Sequence, residues 1–585
     1  MRHLDSFIRT LGTWLGPRSK RFDLARTYAV GAAIAFFYLY VGNIYVEPGA
    51  TEYIDLAQAM LSGGDLKGHI LNGAWGRDIG MSLIWIISGF PLTGSLSGVV
   101  IIQVMMGLAM PLLSYLALHP WFPRTAYYTA LALTLSLAPI LLSKFIHHDQ
   151  PYIFFTVVSF YFCSRYMLTK SPSYLYALGA SVFGLVLIRQ AGTGLFWLLI
   201  PVCGLWGGVK SYKHIAAAAL IFVGASMAYS KYRASMQGET GGPGVQLFYN
   251  IYINSSEFGV RLSPFLGPNV KFIINRVHDC LLPSPATSPY VRSLDGPPDF
   301  INHFYKYTAD ELVEKISARS NTGYYNFISG SGCLTESFSA LDDILLGASW
   351  EIARAHPIYV VRLFLRNSFQ LLYNPGWLHN DFDFSTYGEI RGGLFFPLYN
   401  IFGTTFDKMP EPALSEAGFI PLARQSELIK DVQFTIYWVW YRSYHPMTII
   451  LGCLAWFAWI STMIGLLQKA GAGARLARWS QFWLSDQVIP ASVGISVLLL
   501  ANVAITAISV DPRYRYDFSL LILKFMLAGV GGAVLIELLK RFGLREALFV
   551  FFRRISNQRM PDKHRQRAEP ADQKRQDCGG DLAGS

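Results

Sequence analysis

Runs of apolar residues recur along the chain, most of them close to the roughly 20 residues that a helix needs to cross a bilayer. Short basic stretches separate them. The runs are Thr27–Val46, Leu96–Leu118, Thr125–Ile146, Pro151–Leu168, Tyr174–Ile188, Gly192–Leu205, His214–Ser230, Pro446–Leu467, Val488–Val510 and Phe518–Leu539. A chain built this way needs a solvent with no water in it. Composition agrees: only 15% of the 585 residues are charged and 52% are apolar, whereas a soluble globular chain has roughly a quarter charged. This argues against a soluble enzyme, a disordered scaffold and a coiled coil. The expected fold is an all-α polytopic membrane protein of about ten transmembrane helices, with a mixed, largely irregular outer segment.

The formal net charge is +11. Lys and Arg sit in the loops between apolar runs, which suits cytoplasmic anchoring rather than nucleic-acid binding, and no nucleic-acid partner is expected. Residues 1–26 carry Arg2, Arg9, Arg18, Lys20, Arg21 and Arg26 and lack the small-residue cleavage site of a signal peptide. They read as a cytoplasmic start to a retained first span. Counting outward, Arg124, Arg165 and Lys170, Lys210 and Lys213, and Lys469 with Arg475 and Arg478 all fall on the same inner side. The domains follow: an N-terminal transmembrane module over 27–230 with a first outer loop at 47–80, an outer segment over 231–445, transmembrane helices over 446–540, and a basic, partly disordered cytoplasmic tail over 541–585. A multi-pass protein of a bacterial inner membrane, with both termini cytoplasmic, is expected. Within the outer segment Leu341–Tyr373 is amphipathic, and its Trp350, Arg354, Arg362 and Arg366 suit a helix at the membrane interface or a re-entrant hairpin. Six cysteines and no CxxC motif exclude a disulfide framework and a zinc ribbon. Cys280 and Cys333 share the outer segment, where they either pair or are two unrelated thiols.

Charged side chains at mid-membrane cost roughly 2.5–3.5 kcal/mol each on insertion scales, so those near span ends carry the information. Four clusters share the outer side. The first loop reads Glu47-Pro48-Gly49-Ala50-Thr51-Glu52-Tyr53-Ile54-Asp55. Pro and Gly break the chain, Thr51 is a candidate N-cap, and Glu52 and Asp55 fall in the first turns of a short helix. Those acids either serve the helix dipole or face a cavity. Arg77-Asp78 opens a short apolar run, as an interfacial pin or a pocket pair. His147-His148-Asp149-Gln150-Pro151 forms a polar knot between two spans. It is either a hydrogen-bonded turn or a site for a divalent metal held by Asp149 and His148. Asp511-Pro512-Arg513-Tyr514-Arg515-Tyr516-Asp517 precedes the last span. Guanidinium groups match phosphate oxygens, and tyrosine suits an interface. This is either an aromatic belt with anchoring charges or an anion site. Arg189, after the fifth span, adds a further outer cation.

Acids near the first span and cations near the fifth and last resemble the layout of the GT-C superfamily of integral-membrane glycosyltransferases, with the protein O-mannosyltransferases and lipid A aminoarabinose transferases among its members. The likeness runs from about Tyr45 to Val202 and again from Asp511 to Phe525. It rests on Glu52-Tyr53-Ile54-Asp55-Leu56-Ala57 with Leu61-Ser62-Gly63-Gly64, on His148-Asp149-Gln150-Pro151-Tyr152, on Leu187-Ile188-Arg189, and on Arg513-Tyr514-Arg515-Tyr516. The resemblance implies a polyprenyl-phosphate-linked sugar as donor, transfer at the outer face to a glycan, lipid or protein acceptor, and an acid of the first outer loop as base or metal ligand. Relatives often place Asp four residues before the loop tyrosine, where Gly49 stands here. Glu52 is then the nearest substitute, with Glu47 and Asp55 close by and Asp149 as a partner in catalysis. Arg513, Arg515, Tyr514 and Arg189 are expected to hold the lipid phosphate. Arg77, Asp78 and His148 are expected to line the acceptor side.

Two rival functions fit the same composition. A transporter or flippase of lipid-linked glycans would want charges at mid-span and paired repeats. A polymerase of lipid-linked glycans would also carry a large outer segment.

Overall fold

The computed structural model describes residues 19–41, 44–46, 51–63, 78–93, 97–136, 148–189, 192–207, 211–237, 265–273, 338–373, 419–420, 450–467, 488–509 and 514–541, with single residues and pairs at 139, 143, 145–146, 244, 247–248, 250–251, 260 and 263. The chain divides into two units, Met1–Gly532 and Ala533–Ser585. The described part of the second is the last turns of its final helix.

The elements in order are α1 (Lys20–Val41), β1 (Ile44–Val46), α2 (Thr51–Ser62), α3 (Ile79–Ile87), α4 (Phe90–Thr93), α5 (Ser97–Leu118), α6 (Pro123–Leu135), β2 (Phe145–Ile146), α7 (Asp149–Thr169), α8 (Pro172–Ile188), α9 (Gly192–Gly207), α10 (Tyr212–Gln237), α11 (Phe338–Ala355), α12 (Pro357–Tyr373), β3 (Phe419–Ile420), α13 (Ile450–Leu467), α14 (Val488–Ser509) and α15 (Tyr514–Arg541). Among the described residues the fold is nearly all helical, with one three-stranded ribbon. Among the described residues three helices are long and apolar enough to cross a membrane: α5, the Tyr212–Arg233 part of α10, and α13. Shorter apolar stretches lie at Pro172–Ile188, Gly192–Gly207, Ala491–Ala504 and Leu520–Ile536. The chain is an integral membrane protein. Its helix surfaces agree, since Leu220, Ile221 and Met227 of α10 stay exposed. In lipid such side chains need no protein cover.

Helix α7 sits at the centre of the first unit, packed on α5, α8, α9 and α14. An element hydrophobic on every side, as its Phe, Val and Ile residues make it, is stable only when surrounded. Small polar side chains clasp it to its neighbours. Trp121 Nε1 donates to Ser164 Oγ at 2.9 Å, Ser164 Oγ donates to the Ala117 carbonyl at 2.7 Å, and Ser159 and Ser181 hydroxyls meet at 2.9 Å. Lys170 ends α7 in the left-handed conformation (φ 58°), its N–H on the Tyr166 carbonyl. Ser171 and Pro172 then open α8 with proline in the first turn, where its missing N–H costs nothing.

Two apolar runs depart from single long helices. The first divides into α1 and the strand β1. The third ends as a helix at Leu135, and its far end is the strand β2. The amphipathic stretch Leu341–Tyr373 falls in two helices, α11 and α12, parted at His356 because Pro357 starts the second. The ribbon has the order β2-β1-β3. β1 runs parallel to β2, with Tyr45 opposite Phe145 and Val46 opposite Ile146, and antiparallel to β3, with Ile44 opposite Ile420.

Candidate functional site

The parallel register of β1 on β2 decides what meets at this end of the molecule. Val46 stands beside Ile146. The chain therefore leaves β1 at Val46 beside the point where it leaves β2 at Ile146. The two segments meet again one turn into α2. The Tyr53 hydroxyl lies 2.9 Å from His148 Nδ1, with the rings edge to face at 5.9 Å between centroids. His148 Nε2 faces Asp149 Oδ1 at 3.6 Å. All three residues are buried, at 2%, 8% and 2% exposure for Tyr53, His148 and Asp149. Asp149 occupies the first turn of α7, where the helix dipole favours a carboxylate.

One turn along α7, the Tyr152 hydroxyl donates to Asn502 Oδ1 at 3.2 Å, and Asn502 Nδ2 donates to the Leu498 carbonyl at 2.8 Å. That second bond orients the amide, so its oxygen faces Tyr152. The Tyr152 hydroxyl also lies within electrostatic reach of Asp149 and Arg189. Arg189 caps α8, half-buried and in extended backbone conformation, with its N–H on the Leu185 carbonyl at 2.7 Å. Residues from α2, α7, α8 and α14 thus form one polar cluster at the same end of an otherwise apolar helix bundle.

Asp78 has a separate role. Its Oδ1 takes Arg233 Nη1 at 3.2 Å and the Tyr229 hydroxyl at 3.1 Å, and the Tyr229 oxygen accepts the Ile79 N–H at 3.1 Å. Tyr229 and Arg233 are one turn apart on α10 and so share a face. This arrangement fastens the start of α3 to the end of α10. Gly80 lets α3 sit close against α8, since a Cβ there would come within 2.6 Å of the Leu187 carbonyl oxygen.

Gln150, beside Asp149, turns inward. Its Nε2 donates to the Pro139 carbonyl at 2.9 Å, to the Gln103 carbonyl at 3.2 Å and to Ser143 Oγ at 3.3 Å. It holds the chain between α6 and β2 against α5.

Of the residues singled out by sequence, His148, Asp149, Asp78 and Arg189 are described with their side chains. Glu52, Asp55, Tyr514 and Arg515 lie in described helices, but their side chains are outside the description; Glu47, Arg77 and Arg513 lie outside the described residues altogether. Cys280 and Cys333 also lie outside them. Among the described residues no group of three His, Cys, Asp or Glu side chains gathers to hold a metal ion. His148 turns one ring nitrogen to Tyr53 and the other toward Asp149, so the described donors do not by themselves fit a metal. Sequence reading named Tyr152 only as the end of the motif that follows His148, and missed Asn502, Tyr229 and Arg233 as parts of this region. Asn502 carried a signal, as a lone amide in the run Leu498-Leu499-Leu500-Ala501-Asn502-Val503.

No family model matches the chain, and no curated protein matches it. Two solved structures are similar over 87% of this chain and 78% of theirs, both at 13% identity. They are ArnT from Cupriavidus metallidurans bound to undecaprenyl phosphate, with a TM-score of 0.31, and the same protein in the apo state, with a TM-score of 0.32. A likeness that shallow carries no argument about fold or function, and the chain's own residues have to carry it.

Proposed function

We propose that the protein is an integral-membrane glycosyltransferase. It moves a sugar from a polyprenyl-phosphate carrier to a hydroxyl of a glycan, lipid or protein at the outer face of the membrane. One observation carries this reading: β1 lies in parallel register on β2, and Tyr53 bonds His148. They support the reading by setting α2, the helix that carries Glu52 and Asp55 in its sequence, beside the start of α7. Buried ionisable groups at the end of membrane helices are costly unless they do work there.

In the proposed reaction the acceptor oxygen attacks the anomeric carbon, forming the new glycosidic bond. The bond from that carbon to the phosphate oxygen breaks on the opposite face, and the lipid phosphate leaves with the electron pair. A carboxylate of the first loop, Glu52 by preference, takes the acceptor's proton. Arg513 and Arg515, with Arg189 and Tyr514, offset the charge gathering on the leaving phosphate, a role for which fixed guanidinium groups suit the developing dianion. Asp149 orients the acceptor. The outer segment, with Trp377 and Tyr387, covers the site.

The test is incubation of the purified full chain with a panel of polyprenyl-phosphate hexoses and pentoses, with release or transfer of sugar measured. Replacing the base should lower turnover by about 10²–10⁴-fold. If Glu52→Gln, Glu47→Gln and Asp55→Asn each keep near-normal transfer, the base assignment fails. If the unaltered chain turns over no donor, the transferase reading itself fails.

A further inference from the structure

Helix α12 has two faces of opposite character. Tyr359, Leu363, Asn367 and Leu371 recur at helical spacing and are buried. They turn inward, where α12 packs on α11 and α14. The Tyr359 hydroxyl donates to the Ile251 carbonyl, and Asn367 Nδ2 donates to Asn250 Oδ1 at 3.4 Å. On the other side Ile358, Val361, Leu365 and Phe369 form an apolar stripe, each between 56% and 68% exposed. Arg362 and Arg366 follow one edge of that stripe, and α12 carries no acidic residue. Arg366 Nε and Nη2 both donate to Asn367 Oδ1 at 3.3 Å, which ties that guanidinium to the inner face. Arg362 is exposed.

We propose that this face of α12 docks on anionic phospholipid headgroups of the membrane in which the protein sits. The helix lies along the headgroup layer with its apolar stripe toward the acyl chains and Arg362 on lipid phosphate. A helix crossing the hydrocarbon, or dipping into it as half of a hairpin, would bury Arg362 and Arg366 where charged side chains are costly. The inner face of α12 is seated on α14, which carries the apolar stretch Ala491–Ala504. The outer face is therefore continuous with the lipid around the bundle. Guanidinium groups match phosphate oxygens, and a long arginine stem lies along apolar surface while its head stays at the polar layer. A second copy of the chain docked on the same face would instead bring cation against cation. On α11 the exposed Trp350 and Arg354 stand one turn apart, a pair suited to the same layer. Lipid docking of α12 does not depend on the transferase reading.

Two measurements on the full chain in phosphatidylcholine vesicles containing phosphatidylglycerol test this, and neither needs turnover. The first uses bimane attached to Leu365→Cys, its signal read above that of the unaltered chain labelled the same way. Doxyl groups placed near the lipid headgroup should quench it more strongly than doxyl groups near the acyl-chain end or acrylamide in the water. Strongest quenching by acrylamide would leave the face in water. Strongest quenching by the chain-end doxyl would sink the helix into the hydrocarbon. Protection from all three would show the face covered by another part of the chain or by a second copy. Each of these three results overturns the proposal.

The second measurement tests the headgroup. Phosphatidylglycerol bearing the shallow doxyl group should quench the same label at about fivefold lower mole fraction than phosphatidylcholine bearing it, the effect of one arginine at an anionic surface. Arg362→Gln in the labelled chain should erase that preference and leave the shallow quenching itself. Equal quenching by the two headgroups in the chain that keeps Arg362, or a preference that survives Arg362→Gln, overturns the proposal. Inorganic phosphate added at constant ionic strength should leave the preference in place. Its loss would assign Arg362 to free phosphate rather than lipid and overturn the docking as well.

Discussion

At Asp78 one carboxylate oxygen receives both a guanidinium and a phenol, and the phenol in turn receives the Ile79 N–H. Arg233 and Asp78 side chains are 8% and 12% exposed, so solvent screens them little. Removing a hydrogen-bonded charge from such a site costs about 1.5–3 kcal/mol, and removing a neutral partner about 1. Arg233→Met is therefore expected to lower the unfolding midpoint in detergent more than Tyr229→Phe does. The pair Arg233→Met/Asp78→Leu should lose less than the two single changes summed, because neither charge is then left facing an apolar group. A midpoint unmoved by Arg233→Met would show that α3 is held by packing alone. From sequence, Asp78 was read together with Arg77, its neighbour in the chain. The partner that the fold supplies comes from α10, more than 150 residues away, and no local pattern announces it. Glu52-Tyr53 beside His148-Asp149 was more legible: polar residues clustered at the ends of apolar runs have few places to go.

Whole elements follow the same logic. The third apolar run reads as one span, yet its helix ends at Leu135. Pro139 stood in the sequence as a stop signal, since proline lacks an N–H and restricts the residue before it. Apolar count alone cannot part a helix from a short strand such as Phe145–Ile146. Gly42-Asn43 at the end of α1 carried a similar signal. These breaks matter, because without β1 and β2 the first loop and the histidine knot have no shared register. Glycine gives a direct test of how closely the elements sit. A Cβ at Gly80 would press within 2.6 Å of the Leu187 backbone oxygen, while one at Gly224 would meet nothing within 4 Å. Gly80→Ala should cost about 1–3 kcal/mol as α3 is pushed off α8. Gly224→Ala should be neutral or stabilising by up to about 1 kcal/mol, the helix propensity difference. Equal midpoints for the two variants in thermal unfolding would contradict the close approach of α3 to α8.

For the molecule as a whole, the short connection between α7 and α8 decides which helix ends lie together. α7 has 21 residues, which at 1.5 Å per residue is about 30 Å, the thickness of the hydrocarbon layer. Lys170 and Ser171 alone join it to α8, and a connection that short makes neighbouring helices antiparallel. Asp149 at the start of α7 and Arg189 at the end of α8 therefore lie at one end of this helix pair, while Ser173 lies at the other. The basic loops lead to the expectation, under the proposed function, that Ser173 faces the cytoplasm. A cysteine put at Ser62, exposed at the end of α2, should react with a membrane-impermeant maleimide in intact spheroplasts. A cysteine at Ser173, exposed at the start of α8, should react only after permeabilisation. Each signal is read above that of the unaltered chain, which keeps its own thiols. Labelling of both from outside would break the antiparallel pair. Labelling of Ser173→Cys alone would turn the site toward the cytoplasm, where the proposed transfer at the outer face could not occur.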